Sequence, residues 1–265
     1  MDDFSTRMTN LELERFSVND YRGLDDAPAF QLRTGKLPVI ISAPHAVSQR
    51  RAGKVKPSDD FTGPIAIVAS ELADCHAVMA TRFDECDPNW DPFEQCRYKQ
   101  ALAAMVREQS IVAVIDVHGV PSASPYAVEV GSADGLSVSA MPGADEFARD
   151  FLAEELAPYL AKHGKTIALN ESHAARGANT VTNAISRECG IAALQLELAT
   201  PFRVPQSIGG HTPEGEAPPF SEAQLPKEIS SRRNPDPTCV EVTVRAIAHL
   251  ATTLADFKTL DKDVR

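Results

Sequence analysis

Short apolar runs alternate along this chain with segments whose apolar residues recur every three or four positions. LPVIISA (37–43), CHAVMATR (75–82), IVAVIDVHG (111–119) and AALQLELA (192–199) are the strongest runs. Each is too short for a typical helix and is bounded by Gly, Pro or charge. That pattern predicts strands covered on both faces, as in a parallel sheet. YAVEVGS (126–132) and KTIALN (165–170) predict two more strands, and ERFSVND (14–20) with AFQLRTG (29–35) a hairpin or edge.

The intervening segments have helical periodicity. Residues 62–73 fit a helix with Pro64 in its first turn, and Asp91, Pro92 and Glu94 mark the start of a second helix running to about Glu108. ADEFARDFLAEELAPYLAKHG (144–164) predicts one amphipathic helix stopped by Gly164. TVTNAISRECG (180–190) and VEVTVRAIAHLATTLADF (240–257) complete the set. Strands alternating with helices predict an α/β fold, a three-layer α/β/α domain around a mostly parallel mixed sheet. The 265 residues read as a single domain, in which the Pro-, Gly- and charge-rich stretch 200–237 predicts a long loop or flap.

Charge and cysteine usage narrow the function classes. The 26 basic and 37 acidic residues leave a net charge of −11, which disfavours nucleic acid and anionic membranes as partners. No secretory pattern opens the chain, and no apolar run approaches the ~20 residues of a membrane span. Five cysteines without a CxxC pair argue against a disulfide framework or a Cys-rich zinc site. The expectation is a cytoplasmic protein with a small-molecule substrate; the oligomeric state stays open.

Candidate chemistry gathers where the apolar runs end. LPVIISAPH delivers His45, CHAVMATR Arg82, IVAVIDVH Asp116 and His118, and AALQLELA carries Glu197. If the strands are parallel neighbours, these residues share one edge of the sheet, where α/β folds bind ligands. Two imidazoles and a carboxylate make the three-ligand set of a catalytic zinc, and nitrogen donors favour Zn2+ over magnesium. The carboxylate comes from Asp59 or Asp60, which follow a basic loop and alternatively cap the next helix. Asp116, two residues before His118, would orient a ligand histidine.

PVIISAPHAV, PSDDFTGPIA, TRFDECDPN, VIDVHG and LQLELA occur in the order seen in the N-formylglutamate amidohydrolase family, which this chain resembles over residues 37–200. The resemblance implies a zinc carboxypeptidase-like, phosphorylase/hydrolase-like fold and zinc-dependent cleavage of an N-formyl- or N-acyl-amino acid. It implies His45 and His118 as zinc ligands, with Asp60 a better match than Asp59 to the acidic ligand. Glu197 matches the general base, and Arg82 opens an R…DxN segment completed by Asp87 and Asn89. Trp90 stands where the family commonly has an arginine, so Arg97 is the candidate replacement for gripping a substrate carboxylate. On this reading the catalytic residues are Glu197 and Arg82, with Arg82, Asn89, Arg97 and His211 (in GGHTPEG) at a small acidic acyl-amino acid.

Other readings of the same residues remain. Poly-γ-glutamate and other acyl-amino acids are substrates of related groups. A cysteine nucleophile among Cys75, Cys86, Cys96 and Cys189 would make a metal-free hydrolase. A binding module that kept the pocket and lost the chemistry is the non-enzymatic reading. His76, His163, His173 and His249 read as structural or surface residues, though His173, like His211, lies in a loop placed to cover the site.

Overall fold

The computed structural model describes residues 4–205 and 237–260. Among the described residues nine strands form: β1 (Phe30–Arg33), β2 (Leu37–Ala43), β3 (Gln49–Arg51), β4 (Lys54–Lys56), β5 (Cys75–Ala80), β6 (Ala113–Val120), β7 (Tyr126–Gly131), β8 (Thr166–Leu169) and β9 (Ala192–Ala199). Seven of them make one mixed sheet in the order β1-β5-β2-β6-β9-β7-β8, and β3 and β4 form a separate hairpin. The central strands β5, β2, β6 and β9 run parallel, while β1 against β5 and β7 against β9 are antiparallel.

Helices cover both faces. Thr62–Ala73, Ala144–Glu155 and Pro237–Leu260 pack together on one side, Arg97–Glu108 and Val181–Cys189 on the other. This double cover explains the largely apolar runs: all eight residues of β9, five of the seven in β2 and seven of the eight in β6 are buried. Val39, Ile40, Ile41, Val114, Ile115, Val117 and Leu196 are fully buried there. Among the described residues no helix is long and apolar enough to cross a membrane.

Several expectations need correction. ERFSVND is helical over Glu12–Phe16, not a strand. The helix expected from Pro92 starts at Arg97, and Phe93–Gln95 form only a 3-10 turn. The amphipathic segment 144–164 breaks into Ala144–Glu155 and Ala157–His163 because Pro158 has no amide to continue the ladder. Thr200–Arg203 forms one helical turn; the rest of the expected flap, with His211, lies outside the described residues.

Two local devices position the candidate site. Ala52 and Gly53, both at positive φ (48° and 78°), turn β3 into β4. Gln49 then ties that hairpin to the 83–87 loop by accepting Asp84 N–H at 3.2 Å. In β6, a side chain at Gly119 would place Cβ 2.5 Å from the guanidinium of Arg203, so glycine follows His118 for lack of room. Arg203 in turn bonds through Nη1 to the carbonyl of Asp60, fixing the loop that precedes Thr62.

Candidate metal centre

His45 leaves the end of β2 and accepts the amide of Asp59 on its backbone carbonyl at 2.8 Å, which folds the loop 46–58 back over the sheet edge. His118 lies inside β6, because that strand continues to Val120. Their rings are 4.9 Å apart between centroids, inclined at 68°. Asp59 Oδ2 sits 3.3 Å from His45 Nδ1 and 3.2 Å from His118 Nδ1. His45, Asp59 and His118 are all buried, with one ligand atom from each lying within 4.8 Å of the others.

Each imidazole is held from behind by a carboxylate. His45 Nε2 is 2.9 Å from Asp87 Oδ1, and His118 Nε2 is 2.9 Å from Asp116 Oδ2. Asn89, whose Oδ1 accepts Val181 N–H, also brings its Nδ2 within 3.0 Å of His118 Nε2. We assign the Nε2 proton of His118 to Asp116, since a carboxylate is the stronger acceptor. Asp87 likewise claims the proton of His45. Nδ1 of both rings then faces Asp59 Oδ2, so two ring nitrogens and a carboxylate oxygen converge at one place. Two nitrogens with one oxygen are a donor set that suits zinc.

The electrostatics agree with a site built around positive charge. Burial opposes protonation of His118 most strongly, yet Asp116, Asp59 and Glu197 together raise its pKa from 6.5 to about 10. Burial pushes Asp59 up, but Lys56, His118 and His45 outweigh it and hold the carboxyl well below its ordinary range. Lys56 Nζ donates to Asp59 Oδ1 at 2.6 Å. Asp87 is similarly depressed against the effect of burial, by His45 and by Arg51, whose Nε donates to it at 2.6 Å.

Glu197 of β9 is in register with His118 of β6, so the two side chains share one face of the sheet. Burial raises the pKa of Glu197 above its usual value, opposed by His118. Gln195 Nε2 donates to its Oε1 at 3.0 Å, while Gln195 Oε1 is buried without a protein partner among the described residues. A cavity of about 430 Å³ opens beside these groups, lined also by Arg51, Lys56, Asn89, His173 and Arg176.

The structure therefore brings His45, Asp59, Asn89, Asp116, His118 and Glu197 together and leaves others out. Asp60 faces away: its carbonyl takes Arg203 and its Oδ1 lies 3.5 Å from Ser58 Oγ, because Phe61 turns the chain at φ 64° just after it. The helix that follows has Phe61, not either aspartate, at its N-cap position. Arg82 is not in the cavity; it bridges to Gly23 and donates Nη1 to Asp25 O at 2.9 Å, on the far side of the β5 exit. Arg97 is exposed at the start of its helix and does not line the cavity either. None of the five cysteines lines it.

Arg51 and Lys56 were not singled out by sequence, and of His173 only its place in a loop able to cover the site was read. The first two belong to the basic loop SQRRAGKVKPSDD, whose charge was the available signal. His173 sits in an irregular loop with no pattern to read.

No family model matches the chain, and no curated protein matches it in sequence. Among solved structures, N-formylglutamate amidohydrolase from Ralstonia eutropha JMP134 is similar with a TM-score of 0.55 and 16% identity, over 89% of this chain and 100% of its own. At that identity the likeness shows the shared α/β fold. A bacteriophage poly-gamma-glutamate hydrolase (TM-score 0.45, 10% identity, 91% of this chain and 94% of that one) is more distant. So is a metallo-carboxypeptidase from Burkholderia cenocepacia (TM-score 0.45, 14% identity, 89% of this chain and 59% of that one).

Proposed function

We propose that this chain is a zinc-dependent hydrolase that cleaves the C–N amide bond of a small acidic N-formyl- or N-acyl-amino acid, N-formylglutamate being the type substrate. One observation carries it: Nδ1 of His45, Nδ1 of His118 and Asp59 Oδ2 converge beside a buried glutamate whose pKa is raised. The N-formylglutamate amidohydrolase of like fold supports the choice of reaction.

Zinc held by His45, Asp59 and His118 would supply Lewis acidity, bringing the pKa of water to about 7 and polarising the scissile carbonyl. The chain's own groups do the rest. Glu197 has Oε1 held by Gln195, leaving Oε2 to take the proton of the attacking water. Its raised pKa matches that role, since a base must also be able to keep the proton it receives.

The acidic substrate follows from the cavity's cations. Lys56 is engaged by Asp59, and Arg176 forms a two-pronged pair with Asp134 through Nε (2.7 Å) and Nη2 (2.9 Å). Arg51 differs. Its Nε is anchored on Asp87 and its guanidinium lies 5.7 Å from the Trp90 ring, so the terminal nitrogens remain for a carboxylate. Arg51 thus takes the role expected of Arg82 or Arg97, and Trp90 becomes part of its seat.

Glu197→Gln tests the proposal. The variant should keep about one zinc per chain and lose at least ~100-fold in kcat on N-formylglutamate. Zinc retained with turnover unchanged would remove Glu197 as the base.

A further inference from the structure

The sheet carries a row of three side chains across three strands. His118 of β6 is in register with Glu197 of β9, and Glu197 with Glu129 of β7. Glu129 is 2% exposed, and a lone carboxylate so placed would be costly. One residue answers it. Glu129 Oε1 accepts the backbone N–H of His173 at 2.6 Å, and its Oε2 lies 3.1 Å from His173 Nδ1.

The peptide of His173 is fixed from other directions too. Its carbonyl accepts Gln195 Nε2 at 3.2 Å, and that same nitrogen donates to Glu197 Oε1. Gly131 of β7 lets the loop approach so closely that a Cβ there would fall 2.5 Å from the His173 carbonyl oxygen. The imidazole lines the same cavity as Glu197, with 45% of its side chain exposed. Nδ1 is committed to Glu129, which leaves Nε2 to face what the cavity binds.

We propose that His173 is a second proton-handling catalytic residue, delivering a proton from Nε2 to the nitrogen that leaves when the amide bond breaks. This rests on the amide-hydrolase reading above. The water oxygen bonds to the acyl carbon and Glu197 takes one water proton. The C–N electron pair then passes to nitrogen, which takes the proton of His173, and the acid product keeps the water oxygen. Glu197 returns its proton to solvent and His173 regains one before the next turnover. Glu129 is a positioning residue: a carboxylate on Nδ1 fixes the ring and directs Nε2 outward. The division lets Glu197 stay at the water while a separate donor waits at the leaving nitrogen.

The test compares wild type, His173→Gln and Glu129→Gln on two substrates with the same acyl group: an alkylamide, and an activated ester whose leaving group needs no proton. For His173→Gln, kcat on the alkylamide should fall 10²–10⁴-fold and on the ester about tenfold or less, with KM little changed. Glu129→Gln should fall in the same selective direction by a smaller factor. Equal losses on both substrates, or no loss from His173→Gln, would overturn the assignment while leaving the hydrolase reading intact. A zinc-loaded wild type inert on both substrates would overturn the hydrolase reading, and the role of His173 with it.

Discussion

Asp116 Oδ2 lies 2.9 Å from Nε2 of His118, two residues later on the same strand. The period of a strand puts both side chains on one face, so a DxH pair can build a ligand together with the carboxylate that orients it. Asp116→Asn should weaken zinc binding 10–100-fold, because an amide neither fixes the tautomer nor raises ring basicity as a carboxylate does. Competition with a chromophoric chelator measures it. Unchanged affinity would mean that the pair serves the fold alone.

The neighbouring aspartates separate in the same assay. Asp59→Ala should abolish stoichiometric zinc, whereas Asp60→Asn should retain it, since the contact of Asp60 with Arg203 is made by its carbonyl. Loss of metal in the Asp60 variant alone would reverse the assignment.

Arg51 and Arg82 divide on substrate charge. Arg51→Ala should raise KM for an acidic acyl-amino acid by roughly 10–100-fold, the loss of ~1.5–3 kcal/mol expected for one charge-assisted pair. It should change KM little for the neutral amide analogue. Arg82→Ala should alter neither. Steady-state kinetics on the matched pair of substrates decides the question.

Glu12 gives the fold a pH dependence. Burial pushes its pKa from 4.5 up to about 8, against hydrogen bonds from Tyr21 Oη (2.7 Å) and Phe61 N–H (2.9 Å). A carboxyl with a raised folded-state pKa holds its proton when the unfolded chain has lost it, so stability should fall as pH rises from about 4.5 to 8. The fall attributable to this group is at most about 5 kcal/mol. Urea unfolding at pH 5 and pH 8 should show a larger loss for wild type than for Glu12→Gln. Equal losses would show that Glu12 titrates normally.

What the sequence disclosed follows from where each residue stands. His45, Asp116, His118 and Glu197 interrupt or end apolar runs buried on both faces, so their polarity stood out against the pattern, and strand order then brought them together. Asp60 was preferred to Asp59 on the resemblance alone, and the structure reverses that choice: adjacent residues differ in direction, and that direction is set by the left-handed turn at Phe61 and by Glu12 some fifty positions away. Arg82 misled because its strand ends at Ala80, after which pairing with Gly23 carries it off the sheet edge. Arg51 and His173 reach the cavity through a hairpin and a loop whose placement depends on tertiary contacts, which no local periodicity records. The helix break at Pro158 was readable and was outweighed by the amphipathic pattern on either side of it.

The most direct test of the metal-dependent hydrolase is zinc titration of the chelator-stripped full-length protein, with hydrolysis of N-formylglutamate and a panel of N-acyl-amino acids followed at each addition. Activity should be absent without metal and should reach its plateau at about one zinc per chain. Full activity in the stripped protein, or one tightly bound zinc with no hydrolysis of any acyl-amino acid, would contradict it.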